Sequence, residues 1–242
     1  MIISDKFIFI HNPRTGGAFI KTMLKEVLPI EDFRPLEEYH LPVSAIPAVH
    51  RDKLKFGMVR NPWAWYVSLY HFQQPNGKWL RMCLKNKERT FKNFLNTFLS
   101  SDFAEENKNK LFHPVGSPKA PANVPKFKYI KDLDIGFFTY RYIYLFFNDY
   151  QDIFSQKISM NHDQLISIDH VLKTEEVPHN IIKLLSNKIV IPNKTINTWK
   201  TMPKKNDTKH KDYKSYYDKE LVELVRYKDR LIIDKYGYDF YG

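Results

Sequence analysis

The stretch Phe7–Phe19, FIFIHNPRTGGAF, constrains the fold of this chain more than any other part of the sequence. Its first four residues, Phe7–Ile10, are apolar and β-prone, and the run is too short for a helix. After the glycines, apolar residues recur with the spacing of one helix face: Phe19, Ile20, Met23, Leu24, Val27 and Leu28. The stretch therefore predicts a strand, a glycine-containing turn and a helix.

The turn between this strand and helix has the features of an anion-binding loop. Gly16 and Gly17 allow positive φ angles and a close approach of a ligand, and the N–H groups of the first helical turn point into the loop. Arg14 adds a planar guanidinium that suits phosphate or sulfate oxygens. Taken alone, the turn is also compatible with a plain strand-to-helix connection. An ordinary ATP or GTP loop, G-x-x-x-x-G-K-[ST], is disfavoured because its first glycine and its Lys-Ser/Thr are missing.

A second strand-to-helix junction is predicted where residues 55–59 run into Arg60-Asn-Pro and an aromatic helix. Asn61 suits the N-cap and Pro62 the first helical position. Arg60 then lies at the carboxyl end of a strand, and Ser68 follows about two turns into the helix, so both could hold one anion. A buried ion pair for Arg60 and a helix crossing for Ser68 are the alternatives. Because ligands bind at the carboxyl ends of parallel strands, the two junctions together predict a ligand with two anionic groups.

His40, in the loop segment His40-Leu-Pro-Val-Ser44, is a candidate reactive group between the two junctions. An imidazole titrates near neutral pH and can accept a proton from a substrate. A hydrogen-bonded structural histidine is the alternative interpretation. His40 therefore has to be judged by its neighbours.

Length and composition favour one soluble domain spanning residues 1–242. The 43% hydrophobic content is enough for a sizeable core. Cys83 is the single cysteine, which excludes an internal disulfide and a cysteine-rich metal site and fits a reducing compartment. No apolar run reaches the roughly 18 residues of a membrane span, and Met1 lies too near the first strand for a signal peptide. We therefore expect no stable membrane insertion and a cytoplasmic location.

The formal net charge of +11 indicates an anionic ligand or partner. The lysines are spread along the chain, and no zinc-finger spacing or aromatic RNA-binding signature is present. We therefore do not expect nucleic acid as a partner. A solvated basic surface remains the simpler explanation of the charge.

The two junctions together resemble the sulfotransferase superfamily, in particular its carbohydrate-type branch. The segment HNPRTGG, residues 11–17, is similar to the family loop that holds the 5′-phosphosulfate of 3′-phosphoadenosine-5′-phosphosulfate (PAPS). The segment VRNPWAWYVSLY, residues 59–70, is similar to the motif that holds the 3′-phosphate. His40-Leu-Pro resembles the segment that often carries the proposed catalytic base. One departure is Arg14, which stands where the family usually has lysine.

The resemblance implies a three-layer α/β fold, in which helices flank a central, mainly parallel sheet, as in the P-loop-NTPase-like sulfotransferase fold. It implies transfer of a sulfuryl group from PAPS, as co-substrate, to an acceptor hydroxyl or amine. The branch favours a saccharide acceptor, and the chemistry requires no metal. The implied catalytic residues are His40 and Arg14. The implied PAPS-binding residues are Pro13, Arg14, Thr15, Gly16, Gly17, Ala18, Phe19, Arg60, Ser68, Thr208, Lys209 and His210.

The remaining parts of the chain are less informative. Residues 73–130 are polar, lysine-rich and partly proline-rich, and we interpret them as a variable acceptor or lid excursion, with a disordered insertion as the alternative. The aromatic segment 136–147 predicts a buried helix, and residues 168–173 predict another strand. Asp218 and Gly237 are predicted to cap the start and the end of the last helical region.

Two other function classes remain open from the sequence. A nucleotide kinase-like phosphotransferase would share the α/β architecture but need ATP with Mg²⁺, and the missing Gly-Lys-Ser/Thr triplet disfavours it. A non-catalytic protein that binds polyanions or nucleic acid would show steep salt dependence and no preference for a 3′-phosphate. Neither class explains both junctions. The oligomeric state is not readable from the sequence.

Overall fold

The computed structural model describes residues 1–29, 32, 34–35, 40–74, 77–84, 87–107, 128–157, 165–202 and 210–242. Thr208, Lys209 and a large part of the 73–130 excursion lie outside these ranges. The chain divides into two compact units. The first contains Met1–Arg60, Leu145–Asn148 and Asn161–Asp207, and the second contains Asn61–Tyr144, Asp149–Met160 and Thr208–Gly242. The prediction of a single domain stays a prediction.

The first unit is built on a five-stranded sheet. The described strands are β1 (Ile2–Ile3), β2 (Phe7–Ile10), β3 (Arg34–Pro35), β4 (Leu54–Val59) and β5 (His170–Lys173), in the order β3-β1-β2-β4-β5. Strands β2, β4 and β5 pair in parallel, and β1 is antiparallel to both of its neighbours. Four of the five strands therefore run in one direction, and the predicted mainly parallel sheet is confirmed.

Helices cover both faces of this sheet. Side chains on one face of β2 and β4 share an apolar cluster with α1 (Gly17–Val27), α9 (His179–Ser186) and α10 (Asn193–Thr201). On the other face Gly57 meets Phe146, whose ring a Cβ atom at Gly57 would overlap. Phe146 ends α7 (Phe137–Phe146). Successive residues of a strand face opposite sides, which explains why Phe56 and Gly57 meet different helices. The predicted three-layer α/β arrangement is confirmed.

The described regular elements of the second unit are helical. They are α2 (Pro62–Gln73), α3 (Lys78–Cys83), α4 (Phe91–Phe98), α5 (Ser101–Glu106), α6 (Lys128–Asp132), α7 up to Tyr144, α8 (Tyr150–Phe154), α11 (Lys219–Lys228) and α12 (Arg230–Tyr236). Asn61 caps α2 by accepting a hydrogen bond from the Ala64 N–H at 3.2 Å, and Pro62 occupies the first helical position. Asp218 caps α11, and Gly237 ends α12 with a φ of +60°. These sequence predictions are confirmed.

A buried carboxylate connects three helical regions of the second unit. Asp229, at the α11–α12 boundary, is fully buried and accepts hydrogen bonds from the Tyr66 hydroxyl at 2.6 Å, the Thr139 N–H at 2.8 Å and the Thr139 hydroxyl at 2.7 Å. A Cβ atom at Gly136 would overlap this carboxylate, so the glycine leaves room for it. Burial raises the pKa of Asp229 to about 6, although the three donors lower it. We refer to Asp229, Tyr66 and Thr139 as the Asp229 cluster.

No helix in the described ranges is long and apolar enough to cross a membrane.

Candidate functional site

The loop between β2 and α1, residues 11–16, is the centre of the candidate site. It takes two left-handed backbone conformations, with φ of +63° at Arg14 and +81° at Gly16. The Thr15 side chain is buried, and its hydroxyl donates a hydrogen bond to the Asn12 carbonyl at 2.7 Å. The loop is thus closed on itself by Thr15, and the Thr15 hydroxyl proton is used in that closure. We call this segment the β2–α1 loop.

The start of α1 supplies backbone donors next to the β2–α1 loop. Gly16 is the N-cap residue and makes no side-chain cap hydrogen bond. Its carbonyl accepts from the N–H groups of Phe19 at 2.9 Å and Ile20 at 3.1 Å. Within the described residues, this leaves the N–H groups of Gly17 and Ala18 as donors at the helix start. Such donors, with the helix dipole behind them, favour an anion at this position.

Gly16 and Gly17 have different physical roles. Gly16 takes the positive φ that the sequence predicts for this pair, whereas Gly17 lies in the first turn of α1. A Cβ atom at Gly17 would overlap the His11 ring, so the second glycine is required by the packing of His11 over the helix start. Within the β2–α1 loop, sequence reasoning missed the left-handed conformation of Arg14.

The second junction approaches the β2–α1 loop through Arg60, which follows the last residue of β4. Arg60 is half-buried, and its Nη1 donates a hydrogen bond to the Arg14 carbonyl at 3.3 Å. The structure therefore brings Arg60 and Arg14, both predicted from the sequence, to the same edge of the sheet. This edge holds the carboxyl ends of β2 and β4, as predicted for a ligand site in a parallel sheet.

His40 also contacts the β2–α1 loop. Its Nδ1 lies 2.9 Å from the His11 carbonyl, and the centroids of the two imidazole rings are 4.6 Å apart. A carbonyl can only accept, so Nδ1 carries the proton in this hydrogen bond and Nε2 is the basic nitrogen of the neutral ring. His40 is held in a left-handed conformation with φ of +76°. With Nδ1 bound to the His11 carbonyl, Nε2 is the nitrogen that can accept a proton.

Thr174 is a residue of this edge that sequence reasoning missed. It follows the last residue of β5, and its Oγ1 lies 2.9 Å from the Thr15 carbonyl and 2.8 Å from the Val59 carbonyl. The threonine thus connects the β2–α1 loop to the end of β4. No local motif marks it, because its partners lie more than a hundred residues away in the sequence.

Four other predicted PAPS-binding residues are Ser68, Thr208, Lys209 and His210. Ser68 lies in the second unit and is buried in α2. His210 also lies in the second unit, where its ring stacks on His71 at 5.1 Å. Thr208 and Lys209 lie outside the described residues. Phe19 packs its ring in the apolar cluster, so any part it has in anion binding comes through the position of the helix start.

The described residues contain no group of three or more His, Cys, Asp and Glu side chains that could hold a metal ion.

Comparisons with known proteins give a structural likeness. No family model matches the chain, and no curated protein matches it. Among solved structures, the chain is similar to the crystal structure of mouse sulfotransferase SULT7A1 complexed with PAP. The sequence identity is 13%, the match covers 97% of this chain and 88% of that chain, and the TM-score is 0.45. At this score, the function of the present chain has to be argued from its own residues.

Proposed function

We propose that this protein is a sulfotransferase that moves the sulfuryl group of PAPS to a hydroxyl or amine of an acceptor. The proposal takes residues 1–242 as one sulfotransferase-like domain. The acceptor class that the sequence resemblance favours is a saccharide. The co-substrate supplies the activated sulfuryl group, and adenosine 3′,5′-bisphosphate is the product that leaves.

One observation carries the proposal: Arg14, Arg60 and His40 all belong to or contact the β2–α1 loop. Arg60 Nη1 donates to the Arg14 carbonyl at 3.3 Å, and His40 Nδ1 donates to the His11 carbonyl at 2.9 Å. The residues Arg14, Arg60 and His40 are thereby collected at the carboxyl ends of parallel strands. A loop that served only as a chain connection would need none of these three groups.

The residues of the loop suit the 5′-phosphosulfate chemically. Positive φ angles at Arg14 and Gly16 shape the loop, and Gly17 and Ala18 offer N–H donors at the start of a helix. Backbone donors of this kind bind tetrahedral anions, and an arginine fork adds charge-assisted hydrogen bonds. Arg14 and these donors would stabilise the negative charge that grows on the 5′-phosphate as its bond to the sulfuryl group breaks.

His40 is assigned to the acceptor side of the reaction. Its Nδ1–H is engaged by the His11 carbonyl, so Nε2 would take the proton that the acceptor oxygen or nitrogen loses as its bond to sulfur forms. The fixed tautomer supports this role. In phosphoryl transfer, positioning and charge stabilisation account for most of the rate enhancement, and we expect the same for sulfuryl transfer.

Arg60 is assigned to the 3′-phosphate. Its position beside the loop, together with the Arg-Asn-Pro motif that carries it, supports this assignment. Ser68, Thr208, Lys209 and His210 are proposed as further PAPS-binding residues on the basis of the sequence resemblance alone. The proposal needs no metal.

The proposal is tested by calorimetric titration with adenosine 3′,5′-bisphosphate, 5′-AMP, and ATP with Mg²⁺. We expect the bisphosphate to bind at least about tenfold more tightly than 5′-AMP, which corresponds to about 1.4 kcal/mol for the 3′-phosphate. Arg60→Ala should remove most of this preference. Arg51→Ala is the matched control, because Arg51 is an exposed arginine of the same unit whose Nε lies 3.5 Å from the Ile46 carbonyl.

The other outcomes are equally informative. Equal or absent binding of the bisphosphate would contradict the sulfotransferase proposal. Selective binding of ATP with Mg²⁺ would favour the kinase-like alternative instead. If the bisphosphate is preferred, incubation with PAPS and a panel of saccharide, peptide and alcohol acceptors would identify the acceptor class.

A further inference from the structure

Thr174 occupies an unusual position between two backbone carbonyl groups. Its Oγ1 lies 2.9 Å from the Thr15 oxygen and 2.8 Å from the Val59 oxygen. A hydroxyl has one proton, so it donates to these two acceptors in a shared or alternating way. The hydroxyl thereby gives both carbonyl oxygens a hydrogen-bond partner. Thr174 therefore bridges the β2–α1 loop and the end of β4.

Each of the two carbonyl groups belongs to the peptide that precedes a proposed anion-binding residue, Gly16 in one case and Arg60 in the other. The Thr15 carbonyl and the Gly16 N–H are parts of one peptide group, and the C=O and N–H of a trans peptide point in opposite directions. Holding the Thr15 oxygen toward Thr174 therefore directs the Gly16 N–H away from it. In the same way, the Val59 carbonyl belongs to the peptide that carries Arg60. One hydroxyl thus orients a donor of the β2–α1 loop and the backbone of Arg60.

The Thr174 methyl group contacts the loop as well. A Cβ atom at Gly16 would lie 3.4 Å from the Thr174 Cγ2, so the methyl packs against the residue with the loop's largest φ, +81°. The pairing of Val59 with Lys173 brings Thr174 to the level of Arg60 on the neighbouring strand. The side chain therefore has both a polar and an apolar contact with the loop.

We propose that Thr174 is a specificity-determining positioning residue, which sets the spacing between the β2–α1 loop and Arg60 and thereby selects ligands with two anionic groups. The inference rests on the proposed function, since it assumes that the loop and Arg60 bind the two ends of one nucleotide. Thr174 itself need not touch the ligand. Thr174 instead affects how well the distance between the β2–α1 loop and Arg60 matches the distance between the 3′- and 5′-phosphates of the nucleotide.

The test compares the ratio of the dissociation constants of 5′-AMP and adenosine 3′,5′-bisphosphate in the wild type and in variants. Thr174→Val keeps the shape and removes the hydroxyl, and we expect the preference for the bisphosphate to fall about fivefold, as for one lost neutral hydrogen bond. Thr174→Ser keeps the hydroxyl and should retain the preference within about twofold. Thr198→Val is the matched control, because the exposed Thr198 hydroxyl donates to the Lys194 carbonyl on α10, a bond within one helix.

The outcomes separate this inference from the proposed function. A wild type without preference for the bisphosphate overturns both. A wild-type preference that persists in Thr174→Val overturns the role of Thr174 alone, as does equal weakening of both nucleotides, which would indicate a structural role only. If Thr174→Val does not fold, Thr174→Ser decides, because loss of the preference in a folded variant that keeps the hydroxyl contradicts the inference.

Discussion

The β2–α1 loop and the Asp229 cluster both concentrate polar groups, but they arrange hydrogen bonds in different ways. In the Asp229 cluster, the buried carboxylate receives three donors from Tyr66 and Thr139. In the loop, side-chain donors are directed at backbone carbonyls, and the N–H groups at the start of α1 are left for another acceptor. The first arrangement uses its hydrogen-bonding capacity within the protein, whereas the second keeps donors available.

This difference separates a structural polar cluster from the proposed binding site. Asp229 has the raised pKa that often marks a functional group, yet its cause is burial and its acceptors are already used. A perturbed pKa alone would therefore favour the Asp229 cluster, whose carboxylate already accepts three hydrogen bonds within the protein. The N–H groups at the start of α1, which are left for another acceptor, are the better guide to a binding site in this protein.

The largest expected effect is on the rate of sulfuryl transfer and concerns His40, which contacts the β2–α1 loop. His40→Ala should lower the rate of sulfuryl transfer by about a thousandfold, as for loss of a general base, and leave bisphosphate affinity nearly unchanged. His40→Asn is a useful second variant, because asparagine tolerates the positive φ of this position. The measurements are initial rates with PAPS and calorimetric titration. Parallel loss of binding and rate would show that His40 shapes the loop and does not act as a base.

The next largest effect is on stability in the second region. Asp229→Ala leaves three buried donors of Tyr66 and Thr139 without their acceptor, and we expect a loss of about 4 kcal/mol in the free energy of unfolding. Chemical denaturation measures this loss. If the Asp229 cluster is purely structural, folded Asp229→Ala should keep the wild-type preference for adenosine 3′,5′-bisphosphate over 5′-AMP. Altered selectivity would mean that the cluster is not purely structural.

The pH dependence of stability sharpens the same point. The pKa of Asp229 is raised by burial from 3.8 to about 6, so the folded state binds a proton more tightly than the unfolded state. The contribution of Asp229 to the free energy of unfolding is therefore present below about pH 4 and is lost as the pH rises through 6. This loss amounts to about 2 to 3 kcal/mol. The difference in unfolding free energy between wild type and Asp229→Asn, measured from pH 4 to 7, should follow this fall. A constant difference would contradict the raised pKa.

The smallest effect concerns packing at the start of α1. Gly17→Ala introduces a Cβ atom that overlaps the His11 ring, and overpacking of this kind costs about 2 kcal/mol. We expect lower thermal stability and weaker bisphosphate binding. Adding His11→Ala removes the ring and should restore much of the stability. If the double variant is no more stable than Gly17→Ala, the strain has another origin.

Local signals in the sequence predicted many of the elements that position the site. Asn61 with Pro62, Asp218 and Gly237 act through their immediate neighbours, so their roles could be read from the chain and are confirmed. The β2–α1 junction was predictable for the same reason, since four apolar residues, a glycine pair and helical spacing follow one another directly.

Contacts between distant residues could not be predicted in this way. Thr174 meets the Thr15 and Val59 carbonyls only after three strands have paired, and nothing next to it in the sequence indicates this. The packing of His11 over Gly17 depends on a side-chain direction that no periodicity fixes. The antiparallel strand β1 spans only Ile2–Ile3, too short for a pattern, and is defined by its pairing with β2 and β3.

Under the proposed function, the uncapped start of α1 implies a trade-off between thermostability and ligand binding. Asn61, Thr90, Ser100 and Asp218 cap four helices of this chain with their side chains, whereas Gly16 offers none. The helices α3, α8, α9, α10 and α12 also start without a side-chain cap. A side-chain cap contributes about 1 kcal/mol, so the free protein forgoes a gain of that size at α1. Selection for heat resistance alone would be expected to fill the position, and the bound anion would then compete with the protein's own side chain.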